Sequence, residues 1–199
     1  MPPDNVDISN LMDRASSGDD GAFGELSLVS QDELLRFALA HGLSFADSAE
    51  ATQEALLRAY RARRRWRAGS SVMPWLYAIA MNVVREIDRK RRREAGSMDP
   101  NLLAGVLEAS STPTDSSEAE THTARLRQLA AAIQTLPPRQ REAVACRFLR
   151  RMSERDTAAA MGCAEGTVKA TVHTALKGLR DKLKQEESSS QVEHGRPRR

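Results

Sequence analysis

The segment that most restricts the fold of this chain runs SERDTAAAMGCAEGTVKATVHTALKGL, from residue 153 to residue 179. Ser153 and Asp156 have the spacing of a helix N-cap, and Gly162 can take the left-handed backbone conformation that a tight turn requires. Apolar side chains then resume a helical period at Val168, Val172, Ala175, Leu176 and Leu179. Two short helices joined by such a turn predict a helix-turn-helix.

The second helix of this motif, about residues 165–180, is predicted to enter a DNA major groove. Its outward side chains combine cations, which neutralise phosphates, with hydroxyl and imidazole groups that can reach base edges. They are Thr167, Lys169, Thr171, His173, Thr174 and Lys177. A helical hairpin inside a bundle is the alternative interpretation of the same spacing.

The rest of the chain also predicts an all-α fold, because strand-like runs of Val, Ile and Thr are missing from the sequence. After Pro74, which suits a first helical turn, apolar residues recur at helical spacing, at Leu76, Ile79, Ala80, Val83 and Ile87. The opposite side of this predicted helix carries Asn82, Arg85, Arg89 and Arg92. The helix should therefore bury its apolar stripe and present hydrogen-bond donors outward.

Charge is segregated along the sequence. Residues 1–54 carry 11 acidic and 2 basic side chains, whereas residues 55–93 carry 12 basic and 2 acidic ones. Residues 94–122 carry 6 acids and no base, and residues 123–199 carry 16 bases and 8 acids. Two basic blocks separated by an acidic one indicate two polyanion-binding surfaces, because phosphate neutralisation requires clustered Lys and Arg. Two solvated helix faces are the alternative.

Composition predicts two small helical domains, residues 1–93 and 123–181. Residues 94–122 are rich in Ser, Thr, Asp, Glu, Gly and Pro, which predicts a flexible acidic linker. Residues 182–199 lose the apolar period and are expected to form a disordered tail.

Neither a cofactor nor a location outside the cytoplasm is indicated. Cys146 and Cys163 lack metal-site spacing and are expected to be small buried residues, so no metal or other cofactor is expected. No apolar run reaches membrane-spanning length, and residues 1–10 lack the pattern of a signal peptide. The expected location is therefore cytoplasmic.

Every Trp and Tyr of the chain falls in the first basic block, at Tyr60, Trp66, Trp75 and Tyr77. Arginines on both sides of Tyr60 and Trp66 place phosphate-neutralising charge beside flat rings on which unpaired bases can stack. Stacking contributes about 1–3 kcal/mol per base, comparable to the cost of unpairing one. This predicts binding of a separated DNA strand, with core packing as the alternative for Trp75 and Tyr77.

Two stretches of the sequence resemble a known family. ATQEALLRAY and RRRWRAGSSVMPWLYAIAMNVVREIDRKRRR resemble the promoter-melting domain of extracytoplasmic-function (ECF) sigma factors of the sigma-70 family. LPPRQREAVACRFLRRMSERDTAAAMGCAEGTVKATVHTALKGLR resembles their second DNA-binding domain. The likeness covers roughly residues 20–93 and 124–180, in the family's order. It implies a bacterial initiation factor that brings core RNA polymerase to promoters and helps open the DNA, while catalysis belongs to the polymerase.

The resemblance also implies site residues and partners. Polymerase binding, on the clamp helices of the beta-prime subunit, is assigned to Glu50, Gln53, Glu54 and Leu57. Melting and minus-ten recognition are assigned to Tyr60, Arg64, Trp66, Arg67, Ser70, Trp75, Tyr77, Asn82, Arg85 and Arg89, and the loop 67–73 would hold a flipped-out base. Minus-thirty-five recognition is assigned to Arg155, Glu165, Thr167, Lys169, Thr171, His173 and Lys177. The expected partners are promoter DNA, the beta and beta-prime subunits and, as a candidate regulator, an anti-sigma factor.

Several positions depart from the family's usual pattern. Ala170, Thr171 and Thr174 stand where Ser or Arg is frequent on the recognition helix, so its contacts with phosphates are expected to be weaker. Val72 stands where an aromatic residue is frequent, and Ala164 stands where Ser often caps the recognition helix, a cap that contributes about 0.5–2 kcal/mol. Thr157 occupies an inward position that is usually apolar, so it is expected to bury a hydroxyl unless that group bonds a carbonyl of the preceding turn.

Two other classes of function are weighed against this interpretation. A stand-alone helix-turn-helix regulator would explain residues 124–180 but leaves the arginine-tryptophan block and its acidic neighbour without a role. An enzyme is disfavoured because His41, His122, His173 and His194 are scattered, with no phosphate loop or metal spacing beside them.

Overall fold

The computed structural model describes residues 7–94 and 116–194, and the regular secondary structure within these two ranges is helical throughout. The N-terminal domain contains α1 (Ile8–Ser16), α2 (Asp20–Ala40), α3 (Phe45–Ala62), a 3₁₀ turn (Arg63–Arg65) and α4 (Val72–Glu94). The C-terminal domain contains α5 (Ser116–Gln134), α6 (Pro138–Val144), a π-helical turn (Ala145–Leu149), α7 (Glu154–Met161) and α8 (Glu165–His194). This confirms the all-α prediction.

Short polar side chains begin the helices of the N-terminal domain. The Asp19 carboxylate accepts a hydrogen bond from the backbone N–H of Ala22 at 2.9 Å, which starts α2 and holds the pKa of Asp19 below its usual value. The Ser44 hydroxyl accepts from the backbone N–H of Asp47 at 3.1 Å, the cap predicted for α3. Between these helices, Gly42 has φ +82°, a conformation that side chains with a Cβ rarely adopt.

The core of the N-terminal domain lies where α1, α2 and α4 meet α3. Its fully buried large side chains are Met12, Leu26, Leu34, Phe37, Leu43, Leu76, Met81 and Val83. On α3 the buried positions facing this core are small, Ala51, Ala55 and Ala59, spaced four residues apart. Such spacing puts small residues on one face of α3 and lets the neighbouring helices pack close to it.

The helix-turn-helix has the geometry that the sequence predicts. The Ser153 hydroxyl accepts from the backbone N–H of Asp156 at 3.0 Å and caps α7. Gly162 ends α7 in the left-handed conformation, with φ +65° and ψ +46°, and Val168 of α8 is fully buried. The turn therefore fixes the angle at which α8 leaves α7, and this confirms the predicted motif.

Two boundaries of the C-terminal domain differ from the sequence prediction. Helix α5 begins at Ser116, inside the stretch assigned to the linker, and α8 continues to His194, well past residue 181. Two features account for the extension of α8: Leu183 packs against the apolar cluster of this domain, and residues 182–194 contain no Gly or Pro. The remaining part of the predicted linker, 95–115, and residues 1–6 and 195–199 lie outside the described residues.

The two domains pack against each other, which the sequence pattern did not indicate. Helix α7 lies along α4, and one apolar cluster joins residues of both domains, among them Leu76, Val83, Cys146 and Met161. A second cluster belongs to the C-terminal domain alone and contains Ala130, Ala132, Ile133, Leu136, Val144, Ala175 and Leu179. The first helix of the helix-turn-helix thus shares its core with the N-terminal domain.

Candidate polymerase-binding and nucleic-acid interfaces

The four residues predicted to bind polymerase line one groove. It runs between α3 and α4, and it is lined by Glu50, Gln53, Glu54, Leu57, Arg58, Val83, Glu86, Ile87 and Lys90. Leu57 is 43% exposed and lies among the charged and polar side chains of the groove. An apolar centre surrounded by a polar rim is the arrangement that protein-binding surfaces have.

Arg58 holds the two walls of this groove together. Its guanidinium donates to Glu54 on its own helix at 2.7 Å and to both carboxylate oxygens of Glu86 on α4 at 2.8 and 2.7 Å. These bonds raise the pKa of Arg58 and lower that of Glu86. The sequence analysis missed Arg58 as a groove residue, although its i, i+4 spacing from Glu54 was a detectable signal.

The ring of Tyr60 is engaged within the N-terminal domain. Its hydroxyl donates to Asp20 at 3.0 Å, the guanidinium of Arg63 lies 3.7 Å from the ring centroid, and Phe23 meets the ring edge-on at 5.3 Å. Arg63 also donates to Asp20 at 2.7 Å. In this conformation one face of Tyr60 is occupied by an arginine rather than being open to a base.

Trp66 is a core residue in this structure, which corrects the expectation that its ring lies open to DNA, and Tyr77 is also in the core, the alternative that the sequence analysis left open for it. Trp66 is only 7% exposed, although arginines flank it in sequence. The ring of Tyr77 stacks on Phe37 with centroids 4.7 Å apart, and its hydroxyl donates to Glu33 at 2.7 Å. The 3₁₀ turn ends at Trp66, whose backbone is extended, and burial of its large ring outweighs the preference of the adjacent arginines for solvent.

The other members of the predicted minus-ten set are more accessible. Arg64, Arg67 and Ser70 are exposed on the 3₁₀ turn and the loop that precedes α4, whereas Trp75 is half-buried against the core. Val72, the departure from the family's aromatic pattern, is buried as the first residue of α4. The loop thus presents cations and small polar groups.

The polar face of α4 carries Asn82, Arg85 and Arg89 as predicted, but its central residue is already bound. The Arg85 guanidinium donates to both carboxylate oxygens of Glu142 on α6, each at 2.8 Å, and to the Met161 carbonyl at 3.3 Å. Asn82 and Arg89 remain exposed. The hydrogen bonds to Glu142 raise the pKa of Arg85. The helix predicted to read promoter DNA therefore binds the C-terminal domain in this structure.

All seven residues predicted to contact the minus-thirty-five element lie on the helix-turn-helix. Exposed side chains are those of Arg155, Glu165, Thr167, Lys169, His173 and Lys177, and Thr171 is half-buried. Lys169 forms an ion pair with Glu154 of α7 at 3.3 Å, and the Thr171 hydroxyl donates to the Thr167 carbonyl at 2.7 Å. The main helix contacts of α8 are with α5, α6 and α7, so these exposed side chains are accessible to a DNA groove.

Two further findings bear on the class of protein. Cys146 is buried and Cys163 half-buried, both as free thiols, and no group of three or more metal-binding side chains occurs in residues 7–94 or 116–194. Within the same residues, none of the helices combines the length and the apolar character that crossing a membrane requires.

Comparison with known families matches both halves of the chain. The family model described as Sigma-70 region 2 matches residues 29–94, and that described as Sigma-70, region 4 matches residues 126–179. The first region includes the groove between α3 and α4, and the second includes the helix-turn-helix. Their order along the chain is the one that the resemblance implied.

Curated relatives cover most of the chain. The ECF RNA polymerase sigma-E factor of Escherichia coli (strain K12) is 29% identical over 181 residues, which cover 87% of this chain and 92% of the relative. The ECF RNA polymerase sigma factor EcfG of Rhodopseudomonas palustris (strain TIE-1) is 33% identical over 152 residues, which cover 76% and 80% of the two chains.

Solved structures agree with this assignment at the level of the fold. CnrH in complex with the cytosolic domain of CnrY superimposes with a TM-score of 0.65 at 22% identity, covering 89% of this chain and 97% of the other. The sigma factor RpoE in complex with the anti-sigma factor NepR from Bartonella quintana gives a TM-score of 0.59 at 26% identity, with coverage of 81% and 96%.

The fold and the two matched regions define the class as a transcription initiation factor. More narrowly, the chain belongs to the extracytoplasmic-function group of the sigma-70 family and is an RNA polymerase sigma factor.

Proposed function

We propose that this chain binds core RNA polymerase through the groove between α3 and α4, reads the minus-ten element with α4 and its preceding loop, and reads the minus-thirty-five element with α8. Its site of action would be the cytoplasm, where the polymerase works, and it would perform no catalysis of its own. The observation that carries the proposal is the exposure of predicted contact residues at three places: the groove between α3 and α4, the outer side of α4 with its preceding loop (Arg64, Arg67, Asn82 and Arg89), and the exposed face of α8.

The groove suits a protein partner rather than DNA. Leu57 supplies an apolar centre, and Glu50, Glu54 and Glu86 place carboxylates around it. Because Arg58 already binds Glu54 and Glu86, the groove lacks the cluster of free cations that the DNA backbone requires, and its apolar centre with a polar rim suits a protein surface. The polymerase clamp is the proposed partner.

The face of α8 suits double-stranded DNA. Lys169, His173 and Lys177 are exposed along it at i, i+4 spacing, and Thr167 lies at the N-terminal end that a recognition helix directs toward base edges. Few cations lie on this face, so duplex affinity without polymerase is expected to be low and to fall steeply with salt.

An anti-sigma factor is the proposed regulator. The support is the similarity to RpoE, whose solved structure contains the anti-sigma factor NepR. A partner of this kind would have to cover at least one of the three surfaces described above.

Run-off transcription with purified core polymerase tests the proposal. The wild-type chain is expected to direct initiation from cognate promoter templates, and Leu57→Asp is expected to lose core binding and transcription together. Leu28→Asp is the matched control, because Leu28 is a leucine on α2 that is 69% exposed and lies outside the groove. Duplex binding by the wild-type chain without any association with core enzyme would instead indicate a stand-alone regulator.

A further inference from the structure

We infer that the α4 wall of the groove takes part in partner binding, and that Lys90 on this wall selects the partner together with Glu50 on α3. The segment that fills the groove would present a cation to Glu50 and a carboxylate to Lys90, so that it docks in one orientation only. This inference rests on the proposed function in one respect, the assignment of the groove to core polymerase. It adds the chemistry that the groove requires of its partner.

Two ion pairs tie α3 to α4 and fix the alignment of the groove walls. Arg58 contacts Glu86 at 2.7 Å, and Arg91 contacts Asp47 at 3.3 Å. The later position on α3 pairs with the earlier position on α4, so the two helices run antiparallel. The stretch of α3 between Asp47 and Arg58 therefore lies opposite the stretch of α4 between Glu86 and Arg91.

Most of the charge in the groove is already neutralised within the chain. The Arg58 guanidinium binds the carboxylates of both Glu54 and Glu86. Glu50 and Lys90 also line the groove and are exposed, but neither side chain has an ion pair or hydrogen bond within residues 7–94 and 116–194. One free carboxylate and one free ammonium group thus remain for a partner.

The two free charges lie on opposite walls, near the same end of the groove. Lys90 immediately precedes Arg91, and Glu50 follows Asp47 by three residues. Both are therefore close to the ion pair that joins Asp47 to Arg91. Leu57 lies about 10 Å further along α3, since each helical residue adds 1.5 Å. A partner thus meets an apolar contact and, about two helical turns away, a pair of opposite charges.

The position of Lys90 separates it from the DNA-reading side of α4. Arg89, which is assigned to the minus-ten element, does not line the groove, and consecutive helical residues are rotated by about 100° from each other. Val83, Glu86 and Ile87 do line the groove, and they precede Lys90 by seven, four and three residues. This spacing puts Lys90 on the groove side of the helix.

Opposite charges on opposite walls define a direction across the groove. A segment with Lys or Arg on the side of Glu50 and Asp or Glu on the side of Lys90 gains both contacts, whereas the reversed segment places like charges together. Such like-charge contacts disfavour the wrong partner and the wrong orientation. An amphipathic helix with an apolar anchor and both charge signs along one face meets these requirements.

Competition binding to core polymerase in the absence of DNA tests the inference. Unlabelled variants of the full-length chain displace a fluorescently labelled wild-type chain, and the displacement gives the Kd of each variant. Lys90→Gln removes one exposed charge contact and is expected to raise the Kd about threefold. Lys90→Glu adds a repulsion of the same size and is expected to raise the Kd about tenfold, an effect that should shrink as salt is added.

The double variant, Glu50→Lys with Lys90→Glu, separates partner recognition from pairing within the chain. If Glu50 and Lys90 bound each other in solution, reversing both charges would restore the wild-type Kd. If each binds the partner, the two reversals add, and the Kd is expected to rise about a hundredfold. Arg127→Glu is the matched control, because it makes the same charge change at an exposed position on α5 and is expected to leave the Kd unchanged.

A wild-type Kd in both Lys90→Gln and Lys90→Glu would overturn the inference, and so would a double variant that binds like the wild type. Circular dichroism checks the folding of each variant, and Lys90→Gln decides the matter if Lys90→Glu is not folded. Binding that is lost in Leu57→Asp but unchanged in the Lys90 variants would refute this inference alone. A wild-type chain that does not associate with core enzyme would refute the proposed function, and this inference with it.

Discussion

Thr157 offers a sharp test of the packing of the helix-turn-helix. Its side chain is fully buried in α7, and its hydroxyl has no hydrogen-bond partner among the described residues. A buried polar group left unpaired costs about 1–3 kcal/mol, whereas a methyl group of the same shape incurs no such cost. Thr157→Val should therefore raise the free energy of unfolding by about 1 kcal/mol, the lower end of that range.

Urea denaturation followed by circular dichroism measures the effect of Thr157→Val, and Thr52→Val is the matched control. Thr52 is also buried in a helix, but its hydroxyl donates to the Ser48 carbonyl at 2.8 Å. Removing that bond should leave stability unchanged or lower it by up to about 1 kcal/mol. The reasoning is refuted if Thr157→Val is no more stable than the wild type, or if both substitutions change stability by the same amount.

Three further predictions concern single residues. Lys169→Ala should weaken binding to duplex DNA by about the same factor for all sequences, and it should reduce the slope of log affinity against log salt concentration by about one. Fluorescence anisotropy measures both effects. An effect confined to one base pair would contradict a phosphate contact. Burial lowers the pKa of His41 below 6.5. At a pH between the two pKa values, the imidazole of His41 is protonated in the unfolded chain but not in the folded one, so stability should be lost as pH falls below 6.5. Urea denaturation at several pH values measures this dependence, which should be weaker in His41→Gln. Gly162→Ala should lower the free energy of unfolding by about 1–2 kcal/mol because φ is +65° there, whereas Gly166→Ala, at an open helical position, should not.

Local features of the fold were predictable because they depend on neighbours in sequence. The caps at Ser44 and Ser153, the turn at Gly162 and the inward stripe of α4 follow from side-chain chemistry within one or two helical turns. The extent of α5 and α8 was underestimated, because composition favoured a linker and a tail where tertiary packing at residues such as Leu183 extends a helix.

The candidate surfaces were predicted unevenly. Residues on the exposed faces of helices, such as Gln53, Asn82 and Lys169, lie where the helical period places them. Trp66 does not, because its sequence neighbours are arginines while its surroundings in space are apolar. Arginines next to a tryptophan in sequence indicate the charge of the segment, but they do not indicate which way the ring points.

The sequence by itself determined the helical class, the helix-turn-helix and the segregation of charge into acidic and basic blocks, since each follows from periodicity, capping and composition over short stretches. Only the tertiary structure decided that Arg85 of α4 is bound to Glu142 of α6, 57 residues further along the chain. That pairing depends on how α4 and α6 pack against each other in three dimensions, and no short-range sequence pattern specifies that packing.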